Sequence, residues 1–567
     1  MTTTLIRPVS PAGSAPAPDR RRWEGRALAA LLLTTTIAYL CDLGANGWAN
    51  SGYSAAAQAG SVSGKAFLFG SADASNGTTV GGPPAALWPM DLTVRAFGLS
   101  SWTLLVPQAL MGVGAVALLW ATVRRPFGPV AGLLAGTALA LTPVAALMFR
   151  FNDPDALLVL LMVAACWAMT RAVADGRPRR LLWCGILTGF GFLAGQWQVL
   201  LVAPALALTY LVAGPPRALA RIGQLCAAAW AMAGIAGSWI LLTDLWPVDS
   251  RPNFVRPPHN SLLATGVTRW FDADRGTSIA WLLPAALILL IAGLVLRGSA
   301  SRTDGRRAAL IMWGGWLLTA ALFSCAPDNV HQYSPLVLAP PVAALTGAGA
   351  TMLWRASGRR WVRPVAATAM VATTVTAWML LSRSADAVAW LRWAVLAGGI
   401  AASIALLIPR SRRCALAAAI AAGVIGSAGP LACTADTLAF PHRPDGAVAS
   451  ANTPGESVIA LLDRDGIAYR WAAATAGSDR AASYQLATQL PILAIGGFDG
   501  GARAPAPDQF RDHVANGDIH YFIGGGNDDS RSGPAESPAA RITSWVAQHF
   551  PRQDIDGVAV YDLTVPY

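Results

Sequence analysis

The segment Phe149-Arg150-Phe151-Asn152-Asp153-Pro154-Asp155 places one cation and two carboxylates in a very short connection between two long apolar runs. Ionisable groups at such a boundary usually mark a site. A carboxylate there can hold a metal, orient an acceptor or pair with Arg150. An arginine fork can grip a phosphate through two parallel charge-assisted hydrogen bonds. Helix capping accounts for part of the pattern, with Asp153 as N-cap, Pro154 at the first helical position and Asp155 in the first turn. It does not account for Arg150.

A second set of reactive types lies in the connection 44–101, which contains Lys65, Asp73, Asp91 and Arg95 among Tyr53, Phe67, Phe69, Trp88 and Phe97. This mixture predicts short helices lying in the membrane interface, with a polar face turned towards a cavity. A loop of that kind can receive the head group of a lipid-linked substrate while the tail stays in the bilayer.

These residues need a membrane scaffold to position them. Of 567 residues, 54% are hydrophobic and 13% charged, more apolar surface than one soluble core can bury. Apolar runs recur at Ala27–Leu43, Trp102–Thr122, Val130–Met148, Ala156–Met169, Leu181–Ala194, Trp197–Val212 and Ile222–Leu245. Further runs cover Ile279–Leu296, Ala308–Cys325, Pro335–Leu353, Val365–Leu381, Trp390–Ile408 and Ala415–Leu431. The expected fold is therefore all-α and polytopic, with roughly thirteen transmembrane helices.

Arginines sort the connections. Arg20, Arg21, Arg22 and Arg26 precede the first run, and every second connection afterwards is basic, from Arg124/Arg125 to Arg410/Arg412/Arg413. The positive-inside rule makes these cytoplasmic and predicts a multi-pass plasma-membrane protein, its amino terminus inside and its carboxyl terminus outside. The net charge of +11 follows from those clusters, and no basic face with interleaved aromatics points to nucleic acid.

Three regions are expected: a disordered cytoplasmic tail (1–26), a membrane domain (27–433) and an external α/β domain (434–567). In the last, strands are expected at Ser457–Leu462, Pro491–Ile495, Ile519–Ile523 and Val558–Leu563. Helices are expected at Ala481–Thr488, Pro507–Ala515 and Ala540–Phe550. The seven cysteines all lie at or before Cys433, so this domain has no disulfide, and their spacing offers no metal-ligand cluster.

On the outer side, Lys65, Arg95, Arg150, Arg251, Arg256, Arg269 and Arg275 break the orientation pattern and are candidates to meet a phosphate or diphosphate.

The motifs Tyr39-Leu40-Cys41-Asp42-Leu43-Gly44, Trp48-Ala49-Asn50-Ser51, Phe69-Gly70-Ser71-Ala72-Asp73, Pro83-Pro84-Ala85-Ala86-Leu87-Trp88, Phe149 to Leu157 and His331-Gln332-Tyr333 resemble the C-type membrane glycosyltransferases. So do Tyr469-Arg470-Trp471, Ile495-Gly496-Gly497-Phe498 and His520-Tyr521-Phe522 near the end of the chain. The resembling branch contains protein O-mannosyltransferases and the aminoarabinose transferase of lipid A modification (ArnT-like). Within it, actinobacterial and Gram-positive mannosyltransferases with an additional external carboxyl-terminal domain are most similar.

The resemblance implies transfer of a hexose or pentose, mannose-like in first place, from a polyprenyl-phosphate sugar to an envelope glycan, lipid or protein outside the membrane. An external carboxylate would take the proton of the acceptor hydroxyl while cations or a divalent metal stabilise the departing phosphate. Asn50 falls near the place of the first-loop acid of relatives, so the implied base is Asp73, with Asp42 second. Asp155 matches the second external acid and would orient the donor or hold the metal. Lys65, Arg150 and His331 would meet the phosphate, and Asn50, Tyr53, Arg251 and Arg256 complete the substrate-binding set.

The chain departs from relatives at Gly81-Gly82 before Pro83-Pro84, where they carry charged residues, and at Gly195, where they often carry lysine. Loss of such cations slows phosphate departure, so a weakened or non-catalytic paralogue is one alternative. A glycan-binding assembly factor, using Tyr469, Trp471, Tyr484 and Phe498, is another. A lipid-linked-substrate transporter or flippase is a third, though the internal repeats expected of one are not seen.

Overall fold

Thirteen apolar runs, most broken by Pro, Gly or Arg at their ends, dictate a helical bundle, and the computed structural model has one. It describes residues 18–80, 82, 84–245, 280–298, 300–301, 303–324, 335–383, 389–408, 411–439, 454–496, 505–524 and 537–566. The expectations placed on Gly81, Arg251, Arg256, Arg269, Arg275, His331 and Phe498 lie outside these residues.

Helix α1 (Pro18–Leu40) leads into the long connection, whose short helices are α2 (Ser51–Val62), α3 (Gly64–Phe69) and α4 (Trp88–Phe97). The next helices are α5 (Ser101–Phe127), α6 (Pro129–Ala140), α7 (Pro143–Met148), α8 (Asp155–Asp175), α9 (Pro178–Gly195), α10 (Ala203–Ala213) and α11 (Ala218–Leu245). After them come α12 (Leu283–Leu296), α13 (Gly305–Ser324), α14 (Ala339–Arg355), α15 (Val362–Arg383), α16 (Ala389–Leu407) and α17 (Arg412–Ala439).

Among the described residues, seven helices are long and apolar enough to cross a membrane. Part of the difference from roughly thirteen has a local cause. The run Val130–Met148 is split where Pro143 restarts the chain as α7, and Trp197–Val212 begins as a 3-10 turn over Gln196–Leu201 before α10. The protein is a multi-pass membrane protein.

Small residues let the helices approach. A Cβ at Gly185 of α9 would collide with the Ala228 carbonyl oxygen of α11, and one at Gly347 of α14 would lie 2.5 Å from that of Ala131 in α6. Such close backbone contact is how helices associate where lipid removes the hydrophobic driving force.

The carboxyl-terminal residues form a small α/β domain: α18 (Glu456–Asp465), β1 (Trp471–Ala476), α19 (Ser478–Thr488), β2 (Ile492–Ile495), α20 (Pro507–Ala515), β3 (Ile519–Ile523), α21 (Pro538–His549), β4 (Arg552–Ile555) and β5 (Val558–Asp562). The sheet order is β2-β1-β3-β5-β4, with β1 parallel to β2 and β3, and β5 antiparallel to β3 and β4. Alternation along β2 and β5 feeds two cores. Leu493, Ile495 and Phe522 face α20 and α21 with Phe510 and Val546, whereas Ile492, Ala494, Tyr521 and Ile523 face α18 and α19 with Val458 and Tyr484.

The strand expected at Ser457–Leu462 is instead helix α18. Val458 and Leu462, four apart, are both buried, and Glu456 in the first turn with Arg464 in the last complements the helix dipole. Strands β1 and β4 had no counterpart in the sequence reading.

Candidate functional site

The site is built where α1 ends. Asp42 follows that helix in the left-handed region (φ 50°), unusual for a residue with a Cβ, and its side chain is exposed. The next turn, Leu43–Asn46, carries Asn46, whose Nδ2 donates to the Arg150 carbonyl oxygen at 3.1 Å.

Arg150 is buried, and its guanidinium donates to the carbonyls of Ala38 (3.3 Å) and Asp42 (3.5 Å). It therefore acts first as a cation at the carboxyl end of α1, where carbonyls lack intrahelical partners and the dipole favours positive charge. Burial pulls its pKa down, while Cys41 and Asp42 act in the opposite direction. Five N–H donors leave it capacity beyond these two carbonyls.

Asn152 joins the two connections. Its Oδ1 accepts from the Asn50 backbone N–H at 2.7 Å, and its Nδ2 donates to the Asn50 carbonyl (2.9 Å), the Trp48 carbonyl (3.3 Å) and Ser54 Oγ (2.8 Å). Fully buried, this amide mimics a strand partner for Asn50. Asn50 in turn caps α2, its Oδ1 accepting from the Tyr53 backbone N–H at 3.0 Å. Tyr53 is half-buried against the helical core.

Asp153 Oδ1 accepts from the Asp155 backbone N–H at 3.1 Å, an Asx turn just before α8, whose N-cap is Pro154 and not the expected Asp153. Its carboxyl also hydrogen-bonds the Asp155 side chain, and burial pushes its pKa up. Two carboxyls this close disfavour joint ionisation.

Asp73 is fully buried. Its Oδ1 accepts from the backbone N–H of Ser75 (3.0 Å) and from Trp471 Nε1 (3.0 Å), and its Oδ2 from Gly77 (3.0 Å) and Thr78 (3.1 Å). Burial raises its pKa and these donors oppose the rise.

Residues 81–240 match the family model for dolichyl-phosphate-mannose-protein mannosyltransferase, and 458–549 match that for the YkcB-like mannosyltransferase carboxyl-terminal part. Two Bacillus subtilis proteins are similar along most of their length. The "Putative mannosyltransferase YkcB" is 25% identical, with 88% of this chain and 89% of that protein covered. The "Putative mannosyltransferase YycA" is 23% identical, with 88% and 90% covered. Among solved structures, apo ArnT from Cupriavidus metallidurans superposes with TM-score 0.57 at 16% identity, covering 96% of this chain and 98% of that one, and so shares the fold. Together these likenesses support a membrane glycosyltransferase with the ArnT fold.

In this chain, the expected residues divide into three groups. Asp42, Asn50, Arg150 and Asp155 belong to one constellation at the end of α1 and the start of α8. Lys65 is exposed on α3, away from any described ion pair, and Asp73 lies under the carboxyl-terminal domain. Gly195 is a packing residue: a Cβ there would lie 2.5 Å from Leu158 Cδ2, so a larger residue requires the Leu158 side chain to move. Trp471 and Tyr484 are core residues and offer no face to a glycan, and Tyr469 stacks on His520 with ring centroids 4.2 Å apart.

Among the described residues no group of three or more His, Cys, Asp or Glu could hold a metal. The Asp153–Asp155 pair alone fits the lesser demand of a hard cation that takes one or two carboxylates and completes its shell with water and substrate phosphate. The residue that sequence reasoning passed over is Asn152. It stood in the quoted segment, but a neutral amide carries no charge signal.

Proposed function

We propose that the protein transfers a sugar, mannose-like in first place, from a polyprenyl-phosphate donor to an acceptor hydroxyl of the cell envelope on the outer face of the membrane. The observation that carries this reading is the clasp of Asn152 on Asn50, which brings exposed Asp42, Arg150 and the Asp153–Asp155 pair to one end of the bundle. The ArnT structure bound to undecaprenyl phosphate, 17% identical with TM-score 0.54, supports a lipid-phosphate donor.

Asp42 is the proposed base: it takes the proton of the acceptor hydroxyl, whose oxygen attacks the anomeric carbon as the carbon–phosphate oxygen bond breaks, with inversion. The exposure of Asp42 and the four donors on buried Asp73 support this order over the reverse. Arg150 uses its remaining donors on the departing phosphate, and Asp155 orients the donor. A divalent cation bound between Asp153 and Asp155 would supply further charge stabilisation to that phosphate.

Labelled-sugar transfer by the purified protein tests the assignment. Asp42→Asn and Asp155→Asn should each lower kcat by ~100-fold or more while donor binding persists. Full activity in Asp42→Asn with loss in Asp73→Asn would return the base to Asp73.

A further inference from the structure

The carboxyl-terminal domain touches the connection between α1 and α5 through a set of specific polar contacts among the described residues. Trp471, at the start of β1 and fully buried, donates its indole N–H to Asp73 at 3.0 Å. Arg470 lies over the Trp471 ring (4.2 Å to the centroid) and donates to the Ser75 carbonyl at 3.3 Å, while Ser75 Oγ donates to the Arg470 carbonyl at 2.6 Å. On α19, buried Gln485 Nε2 donates to the carbonyls of Ala55 (2.9 Å) and Ala72 (3.0 Å) and to Gln58 Oε1 (3.0 Å). Gln58 Nε2 donates back to the Gln489 carbonyl at 3.2 Å.

We infer that Asp73 and Trp471 form a latch by which the carboxyl-terminal domain fixes the first connection, so that the domain is a wall of the reaction site and not a tethered accessory. The mechanical path is short. Asp73 gathers residues 75–78 into one turn, and a Cβ at Gly77 would lie 2.5 Å from Leu493 Cδ1 and 2.9 Å from Trp471 Cζ2, so the turn sits directly on the domain. Gln485 holds α2 from the other side, and the amino end of α2 is Asn50, the residue clasped by Asn152. Movement of the domain therefore moves the cap of α2, and with it the chain between Asp42 and Asn50. Asp73 and Trp471 are positioning residues: neither needs to touch substrate.

The contact set is built for permanence. Asp73 is matched by four donors, and its burial makes loss of the indole N–H costly. An apolar cluster of Ala55, Ala482 and Leu486 closes the same seam.

This inference rests on the reading that the first connection lines the reaction site, and the experiment separates the two. In the full chain, Trp471→Phe keeps an aromatic ring, though a smaller one, and removes the donor. It should lower kcat about tenfold with donor KM little changed, and speed hydrogen exchange over 51–80 while α8 and α9 stay protected. Asp73→Asn should do the same, and the double variant should be no worse than the worse single. A cross-link between Ala55→Cys and Ala482→Cys should leave otherwise wild-type kcat intact and restore it in Trp471→Phe. Should Trp471→Phe fail to fold, Gln485→Ala breaks the other half of the seam. Unchanged exchange over 51–80 in these variants overturns the latch, as does loss of transfer in the cross-linked protein. If the wild-type chain transfers no sugar, the functional reading fails and the exchange measurement still decides the latch.

Discussion

Asn152 and Asp91 show how single buried polar groups set behaviour at opposite ends of the first connection. Removing the Asn152 amide leaves the Asn50 N–H and carbonyl without their partner, so Asn152→Ala should destabilise the fold by ~1–3 kcal/mol and lower transfer more than Asn152→Gln does, read by apparent Tm and kcat together. Asp91 is buried against Gly60, and one carboxylate oxygen has no hydrogen-bond partner. Burial pushes its pKa to about 9. Because the folded value lies above the unfolded one, the associated stability is fully present below about pH 4 and declines as pH rises towards about 9. Asp91→Asn should therefore raise apparent Tm at pH 8 and leave it unchanged at pH 4. Equal effects at both would mean that its charge is not the cause.

At the scale of elements, close helix approach makes glycines the sensitive positions. At Gly185 the facing atom is a backbone oxygen, which cannot rotate away, so Gly185→Ala should force α9 from α11 and destabilise the bundle by at least ~1–3 kcal/mol in a detergent melt. Gly195→Ala meets only a leucine side chain and should cost less. The apolar runs were legible because lipid demands them, whereas their interruptions at Pro143 and Gln196 were not, since hydropathy averages across a break. Helix α18 was read as a strand because Val458-Ile459-Ala460-Leu461-Leu462 is apolar at every position, so periodicity could not choose. The same limit applies at the site. Arg150 and Asp155 stood out by charge, but Asn50 and Asn152 are 102 residues apart and Asp73 and Trp471 are 398 apart, and no local pattern announces such pairs.

Across the whole molecule, the carboxyl-terminal domain and the first connection lie at one end of the helical bundle, so whatever side of the membrane holds one holds the other. That agrees with the arginine pattern, which puts both outside. The domain presents its charged strand β4, with Arg552 paired to Asp554 at 3.2 Å, at one free edge of the sheet, while β2 at the other edge lies against residues 72–79. Charge protects the free edge from further pairing and the connection covers the other. The activity proposed for this end of the molecule is sugar transfer with Asp42 as base. The direct measurement is transfer of labelled mannose from polyprenyl-phosphate mannose by the purified full chain in detergent, with Asp42→Asn alongside. Transfer by the wild-type protein and its loss in Asp42→Asn, with donor still bound, is the predicted result. Transfer undiminished in Asp42→Asn, or none by the wild type from any polyprenyl-phosphate sugar it binds, would contradict it.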